Sequence, residues 1–335
     1  MKKISIIYGG RSTEHDASIK SMETFNNNLD RDKFTIMDMV FIDRCGEIFL
    51  NDKKITFGIL IDYIKNNNDA FYLNLLHGQE GEDGSWSGLF DICNCKGTFE
   101  SVNTSSILMN KYEQSTVVKD SFNDLLIPKT ILLKRGVEYN FEIELAKINS
   151  KYILVKPNTM GASHFVEKIE SVKIDKIIKL VNKIFKYDKN VLIQEFIDGD
   201  EYTCGVIAYN DSILALPIIH VKSNHDFLDH YSKHKKGNAI CDFNYFNEKV
   251  LIEEYSKKMF CIFNIIGMCR FDYIINANGQ IYYLEGNLIP GFSDDSAFPM
   301  MLKEANITLT QFMLSLFDVY VKEPVNNKFL PYEID

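Results

Sequence analysis

The sequence has no apolar run approaching the ~20 residues needed to span a bilayer. The apolar stretch near its start, MKKISIIYGG, is too short for a signal-peptide core, so we expect a cytoplasmic protein with no membrane partner. Basic residues are also in deficit, with 37 Lys and Arg against 46 Asp and Glu and a net charge of −9. Because an acidic surface repels a phosphate backbone, nucleic acid is not an expected partner.

The cysteines lack the pattern of a disulfide framework. There are seven, an odd number, and no spacing is repeated, which favours reduced thiols. Cys93 and Cys95 resemble half of a metal site, but no second Cys/His pair stands at ligand spacing, so a structural role is favoured. With 46% hydrophobic and 25% charged residues, the composition is that of a globular protein, and 335 residues suggest two domains or three small ones.

The N-terminal third alternates strand-like and helix-like segments. A β-branched run from Lys3 to Tyr8 meets the turn Gly9-Gly10, and a helical pattern continues through Phe25. Further segments follow as a strand at Phe34–Ile42, part of a helix at Ile59–Ile64 and a strand at Ala70–Leu76. This alternation predicts a parallel sheet covered on both faces.

The pattern changes after about Ser105. A helix is predicted from Asn110, and an amphipathic helix from Ile174 to Phe185 has interleaved lysines, which favour a solvated face over an anion-binding patch. The polar stretch Val221–Asn247 is predicted to be a lid or binding loop. The other predicted elements are strands at Thr130–Leu133, Tyr152–Val155 and Val191–Gln194, a strand-rich stretch from Glu201 to about His220, a helix at Val250–Ile266, and a hairpin of Arg270–Asn276 with Gln280–Leu284.

Two glycine-containing loops follow predicted strands in the N-terminal part. In YGGRSTEH the acid Glu14 stands at a helix start, where a carboxylate suits a substrate ammonium better than a phosphate; the alternative is an acid stabilised by the helix dipole. In HGQEGEDGS, which begins at His77, polar groups are dense at a strand end, where parallel sheets bind ligands. Taken alone, this loop is also compatible with a helix cap.

Two later segments suggest a nucleotide. Lys156 closes the apolar strand Tyr152–Val155, and a lysine in that position is costly unless it meets an anion, for which phosphate is the obvious candidate. The segment VLIQEFIDGDE, ending at Glu201, runs from a strand through a turn into a second strand. Its backbone suits a planar base, and Glu201 suits a ribose.

The strongest cluster of polar residues lies on the predicted hairpin. Arg270 and Asp272 stand on one strand, and Glu285 and Asn287 stand on the other. Neighbouring antiparallel strands would bring one cation and three oxygen ligands to one sheet end, the hard-donor set that Mg²⁺ prefers when substrate phosphates complete its coordination. Without a metal these would be buried charges on apolar strands, which favours metal binding over a purely structural role.

Six motifs in order resemble one family through nearly the whole chain: GGRSTEH, LHGQEGEDGSWSG, the KP of VKPNTMGAS, EFIDGDEYTCGV, RFD and EGNLIPG. The family is the D-alanine:D-alanine ligases of the ATP-grasp superfamily. The resemblance implies an α/β protein with the ATP-grasp fold and three parts. These are an N-terminal Rossmann-like parallel-sheet domain (1–105), a central ATP-grasp subdomain (106–190) and a C-terminal ATP-grasp subdomain (191–335) with a substrate lid loop at about 221–246.

The resemblance also implies roles for individual residues. The residues expected to contact ATP are Lys111, Lys156, Ser163, Gln194, Phe196, Ile197 and Glu201. The magnesium ligands, for which Mn²⁺ is a substitute, are Asp272, Glu285 and Asn287. The catalytic set consists of Glu14 and His77 for the first substrate's ammonium, Arg270 for charge on the transferred phosphoryl group, Lys233 and Ser296 for the second substrate's carboxylate, and Gly291 as an oxyanion donor.

The implied reaction joins two amino acids through an acyl phosphate, with D-alanyl-D-alanine the first expectation and a homodimer left open. Three departures from the family pattern bear on specificity. Ala162 replaces a loop serine and Phe165 the loop's second glycine, His234 stands at the lid tyrosine unless a register shift places Tyr231 there, and Gln194 replaces an acid. They keep open a ligase for another amino or hydroxy acid. A nucleotide-binding regulator without turnover is the alternative of another class.

Overall fold

The structure is a computed structural model that describes residues 1–67, 69–223, 239–244 and 246–322. In these ranges the chain forms three sheets, of six, four and six strands, which follow one another along the sequence. Helices pack between and around them. None of the helices in these ranges is both long and apolar enough to cross a membrane.

The first sheet is built from the alternating segments of the N-terminal third. Its elements are β1 (Lys2–Gly9), α1 (His15–Asn28), β2 (Phe34–Ile42), β3 (Ile48–Leu50), β4 (Lys53–Ile55), α2 (Phe57–Asn66), β5 (Phe71–Asn74), α3 (Ser85–Cys93) and β6 (Lys96–Gly97). The strand order is β4-β3-β2-β1-β5-β6. The β1, β2, β5 and β6 strands are parallel, as predicted, whereas β3 and β4 add an antiparallel edge that the alternation did not reveal.

The second sheet is antiparallel, in the order β7-β10-β8-β9. The elements of this part are α4 (Val102–Met109), α5 (Lys111–Ser121), β7 (Thr130–Lys134), α6 (Phe141–Ile148), β8 (Tyr152–Pro157), β9 (Glu167–Glu170), α7 (Ile174–Ile184) and β10 (Asn190–Glu195). The predicted amphipathic helix is α7, whose buried face packs on the sheet through Ile177, Leu180, Val181 and Ile184.

The third sheet contains the predicted hairpin. Its path is β14-β13-β11-β15-β16, with β12 paired to β11. The elements are β11 (Gly199–Tyr209), β12 (Ser212–Ala215), β13 (Ile219–Ser223), β14 (Ala239–Asp242), α8 (Lys249–Ile262), β15 (Met268–Asn276), β16 (Ile281–Asn287), α9 (Ala297–Glu304) and α10 (Leu309–Lys322). The expectation that Val221–Asn247 is a loop throughout is wrong. Within this stretch, β13 extends to Ser223, and β14 pairs with it in antiparallel register.

Two buried cores cross the sequence boundaries between these parts. Ile4, Ile6 and Leu73 of the first sheet share a core with α9 and α10, through residues such as Phe298 and Phe312. In the same way α4 and α5 contribute Leu108 and Val118 to the core of the third sheet. The division at 105/106 and 190/191 stays a prediction. The packing brings the carboxyl ends of β1 and β5, the start of α5 and the β15–β16 hairpin toward one another.

Candidate active site

The β15–β16 hairpin carries the four polar residues that the sequence singled out. In its antiparallel register Arg270 lies opposite Asn287, and Asp272 lies opposite Glu285. A β-bulge follows immediately, because Tyr273 pairs with Tyr283 and leaves one extra residue on β16. Bulges re-aim side chains beside active sites. The expected juxtaposition of one cation, two carboxylates and one amide is therefore present in the structure.

Arg270 and Asp272 form a buried two-pronged pair. The guanidinium donates from Nε to Oδ1 at 3.0 Å and from Nη2 to Oδ2 at 2.9 Å, and Thr203 of β11 donates its hydroxyl to Oδ1 at 2.6 Å. Burial lowers the pKa of Arg270, but Asp272, Glu285 and Glu201 raise it by more, so the net shift is upward. The guanidinium is thus held permanently charged and fixed in direction, which is the requirement for a group that stabilises developing negative charge.

The oxygen ligands fit a divalent cation that also binds a phosphate chain. Lys111, at the start of α5, places Nζ 3.3 Å from Oε2 of Glu285 and donates to the carbonyl of Met160 at 2.9 Å. The Oδ1 atom of Asn287 is buried without a hydrogen-bond partner in the described structure. Among the described residues no three His, Cys, Asp or Glu side chains cluster as a metal site. Asp272, Glu285 and the Asn287 amide would therefore hold Mg²⁺ only with ligand oxygens completing the shell.

The predicted nucleotide residues lie on the second sheet and the strand that leaves it. Lys156 is 8% exposed on β8 and pairs in register with Leu192 of β10. Gln194 donates from Nε2 to Thr130 Oγ1 at 2.8 Å, which uses one of its two N–H groups and leaves its oxygen as an acceptor. The ring of Phe196 lies under the ammonium of Lys168, 3.6 Å from Nζ to the ring centre. Ile197 follows in the connection to β11, where Glu201 faces Ile274 of β15 in register.

Glu14 lies between two glycines from different parts of the chain. A Cβ built on Gly161 would fall 2.0 Å from Oε1 of Glu14, and one built on Gly78 would fall 3.0 Å from the same oxygen. The backbone N–H of Glu14 donates to Ser12 Oγ at 3.1 Å, and that hydroxyl donates to the carbonyl of His77 at 2.6 Å. The carboxylate thus sits where the first sheet meets the loop after β8, because neither glycine has a side chain in its way.

The loop after β8 takes a strained path at both of the loop positions where the sequence departs from the family pattern. Ala162 has φ +51° and Phe165 has φ +58°, and Ser163 between them has φ +54°. Left-handed backbone at a non-glycine residue costs of order 1 kcal/mol, and a glycine in place of Phe165 adopts it freely. The Phe165 ring stacks on Tyr187 at 5.1 Å, which ties the loop to the segment after α7.

His77 ties the first sheet to the C-terminal part. Its Nδ1 is 2.9 Å from the carbonyl oxygen of Ile289, and its Nε2 is 2.9 Å from Ser21 Oγ, which also accepts the N–H of Phe292 at 3.1 Å. The carbonyl requires a proton on Nδ1, so Nε2 accepts from the serine. Burial, with a smaller contribution from Arg270, lowers the pKa of His77 to about 4. The imidazole is therefore neutral, and whether it also contacts an ammonium stays a prediction.

Glu82 is a buried acid within the motif LHGQEGEDGSWSG, and the sequence alone assigns it no role. Its two oxygens accept the backbone N–H groups of Gly78 and Ile289, each at 3.0 Å. Burial and the neighbouring Glu14 raise its pKa well above the ordinary value. Glu82 joins the loop after β5 to the loop after β16, 207 positions away. Only the contact with Ile289 reveals this role, and the local sequence contains no sign of it.

Gly291 and Ser296 lie together before α9. A Cβ on Gly291 would fall 2.9 Å from Ser296 Oγ, and that hydroxyl is 2.8 Å from Ser293 Oγ. The structure therefore brings together the predicted oxyanion donor and one predicted carboxylate contact. Lys233 and His234, together with Tyr231, lie outside the described residues.

A polar cavity of about 640 Å³ opens beside Ser12, where the first and second parts meet. It is lined by residues of the β1–α1 and β5–α3 loops together with the α4–α5 corner and Thr159, and these include Arg11, Ser12, Gln79 and Asn110. Arg11 pairs with Glu80 at its edge. The cavity adjoins the carboxyl ends of β1 and β5, the general position of ligands on parallel sheets.

Comparison with known proteins identifies this architecture. Solved structures cover nearly the whole chain: a D-alanine–D-alanine ligase of Bacillus anthracis complexed with ATP (TM-score 0.76, 23% identity, 96% of this chain and 98% of that one) and the VanG D-Ala:D-Ser ligase of Enterococcus faecalis (TM-score 0.77, 24% identity, 95% and 99%). The D-alanine–D-alanine ligase of Prochlorococcus marinus strain MIT 9312 is 28% identical over 95% of this chain and 97% of its own length.

The similarity to these solved structures establishes the fold. The fold is the ATP-grasp fold, with an N-terminal domain built on a largely parallel sheet. The family model for the D-Ala–D-Ala ligase C-terminus matches residues 130–318, more than half of the chain. The chain therefore belongs to the D-Ala–D-Ala ligase family, which confirms the resemblance drawn from the six motifs.

The depressed pKa of His77 predicts an acid-dependent loss of stability. Between pH 6.5, the ordinary pKa of histidine, and about pH 4, His77 is protonated in the unfolded chain but neutral in the folded chain. The stabilising contribution is therefore present above pH 6.5 and is lost as the pH falls, by up to about 3 kcal/mol. We expect urea midpoints of the wild type to fall more steeply from pH 7 to pH 4.5 than those of His77→Gln. Parallel pH profiles for the two proteins contradict the assignment.

Proposed function

We propose that this chain is an ATP- and Mg²⁺-dependent ligase that joins two D-alanine molecules to D-alanyl-D-alanine. A carboxylate oxygen of the first substrate attacks the γ-phosphorus of ATP, the bond to the β-phosphate oxygen breaks, and ADP leaves. The amine of the second substrate then attacks the acyl carbon, loses a proton and displaces phosphate. The observation that carries the proposal is the buried Arg270–Asp272 pair, directly beside Glu285 and Asn287.

The described residues offer charges opposite to those of the groups they would bind. Lys111 and Lys156 supply cations for the phosphate chain, and Gln194 and Glu201 supply hydrogen-bonding groups for base and ribose. Glu14, held between Gly78 and Gly161, supplies the anion for the first substrate's ammonium. Mg²⁺ held by Asp272, Glu285 and Asn287 would neutralise charge on the phosphates. Gly291 and Ser296 lie together as the acyl-oxygen and second-carboxylate contacts.

Arg270 favours turnover over a regulator that only binds nucleotide. A pure binder gains little from a guanidinium that is buried and held by two carboxylate oxygens, because desolvating that charge is expensive. A transferase gains from it at the moment when charge develops on the phosphoryl group. The retention of all three oxygen ligands beside it supports the same conclusion.

Altered substrate choice is the second candidate, and one feature of the loop favours it. Ala162 directly follows Gly161, the residue under the Glu14 carboxylate, and, unlike the serine of the family pattern, has no hydroxyl to bond that carboxylate. Without such a hydrogen bond, we expect the loop to close differently over the substrates. The candidate is a family member that joins D-alanine to another amino acid or to a hydroxy acid.

The test is a product assay across D- and L-amino acids and hydroxy acids. We expect ATP to be converted to ADP and phosphate only when both Mg²⁺ and an acceptor such as D-alanine are present, since the acyl phosphate forms on the substrate. Phosphate release and mass spectrometry of the product are the readouts, with EDTA and D-alanine omission as controls. Mg²⁺-independent turnover, or AMP as product, rules out this mechanism.

A further inference from the structure

A fully buried glutamine connects α5, the helix that begins at Lys111, to β16, the strand that carries Glu285 and Asn287. Gln114 lies three residues after Lys111 on α5 and is 1% exposed. Its Nε2 donates to the carbonyl of Leu108, at the end of α4, at 2.8 Å. Its Oε1 accepts the backbone N–H of Gly286 at 2.7 Å and the hydroxyl of Tyr283. One side chain thus joins the α4–α5 corner to β16.

Gln114 contacts β16 on both sides of its bulge. Tyr283 points into the core, where it is fully buried, while Glu285 reaches Lys111, although strict alternation would place both on one face. The extra residue between them makes this difference. Oε1 of Gln114 accepts from Tyr283 before the bulge and from Gly286 after it.

The orientation of the amide is fixed by its partners. Both groups facing Oε1 are donors, because an amide oxygen only accepts and its partners are the phenol O–H of Tyr283 and the backbone N–H of Gly286. The group facing Nε2 is a carbonyl, an acceptor only. A flipped amide would oppose donor to donor and acceptor to acceptor and would leave buried polar groups unsatisfied, which is costly. Gln114 therefore locks the bulge in one geometry.

We propose that Gln114 is a positioning residue for the metal: by holding Gly286, the residue between Glu285 and Asn287, it sets the direction of both ligands. The inference rests on the metal site of the proposed function. Asn287 Oδ1 is buried, and no hydrogen bond within the described structure holds that oxygen in place. Gly286 is also tightly enclosed, because a Cβ there would lie 3.0 Å from Phe271 and 3.1 Å from Leu108.

The experiment measures metal affinity directly as well as turnover. Mn²⁺ replaces Mg²⁺, and its binding to the protein with a non-hydrolysable β,γ-imido ATP analogue is followed by electron paramagnetic resonance. The variant is Gln114→Met, which keeps volume and removes both hydrogen-bonding atoms. Gln114→Asn, one methylene shorter, is a second variant in case the first does not fold. The matched control is Tyr255→Phe, which removes the 2.6 Å bond to Asp124 elsewhere in the same core.

We expect Gln114→Met and Gln114→Asn to weaken Mn²⁺ binding roughly 10- to 100-fold, as is typical of residues that orient metal ligands. The half-saturating Mg²⁺ concentration should rise in parallel, while kcat at saturating Mg²⁺ recovers to within about threefold of wild type. Tyr255→Phe should lower the melting temperature without changing either metal constant.

Two results overturn the inference, and both can be told apart from a failure of the ligation reaction. If the Gln114 variants lose stability as Tyr255→Phe does and keep wild-type Mn²⁺ affinity, Gln114 is only structural. If the wild type binds no Mn²⁺ with the analogue, the metal site itself is wrong. A wild type that binds Mn²⁺ tightly but forms no dipeptide contradicts the proposed reaction alone and leaves the role of Gln114 standing.

Discussion

Arg270→Met is expected to lower kcat by about 10³-fold or more while ATP still binds. The guanidinium is buried, charged and held by Asp272 at 3.0 and 2.9 Å, so it is fixed before charge develops on the phosphoryl group. Its loss removes stabilisation of the transition state more than of the ground state. Single-turnover ADP formation measures the rate of phosphoryl transfer, and titration with a fluorescent nucleotide measures the affinity for nucleotide.

Two controls separate this role from damage to the site. Lys156→Met should weaken nucleotide binding as well as turnover, because a buried cation for the phosphate chain is lost. Thr203→Val removes the other side-chain bond to Asp272, 2.6 Å long, but keeps Arg270, and should lower kcat far less than Arg270→Met. If Arg270→Met keeps near-normal kcat and loses only ATP affinity, the assignment of this arginine is wrong.

The elements and residues that could be predicted share a local signature. Alternating or β-branched runs predicted β1, β2, β8 and β10, all confirmed, and a single apolar face predicted α7. The β15–β16 hairpin followed from two apolar strands around Asn278-Gly279. Charged residues on such strands, above all Asp272 in the middle of β15, were conspicuous because an apolar strand gives no reason for them. Each of these signals is complete within one short, continuous segment of the sequence.

The features that could not be predicted depend on long-range contacts. Gln114 looks like an ordinary helix residue until β16 supplies its donors, 172 positions away. Glu82 acquires its role from Ile289, and β14 exists because β13 pairs with it. The β3–β4 edge was missed because its strands have only three residues each. The assignment of α4 and α5 to the core of the third sheet likewise depends on packing that no local pattern encodes.

Gly161→Ala is expected to raise the KM for D-alanine by about 100-fold with little change in ATP affinity. The new Cβ would lie 2.0 Å from Oε1 of Glu14, so the carboxylate cannot stay where it is. Because that oxygen is the far end of a flexible side chain, the protein can fold by turning Glu14 aside. The anion that faces the substrate ammonium is then displaced. Initial rates at varied D-alanine and saturating ATP measure the effect.

The matched control is Gly58→Ala, also a glycine-to-alanine change, on α2 of the first part. A Cβ there would meet nothing closer than Thr56 Oγ1 at 3.9 Å, so stability should hold or rise and KM should not change. Glu14→Gln tests the same anion by removing its charge instead of its position, and should also raise the KM for D-alanine. A wild-type KM in Gly161→Ala, with a melting temperature equal to that of wild type, shows that Glu14 has no contact with the first substrate. In that case the ammonium would have to be held by another group of this junction.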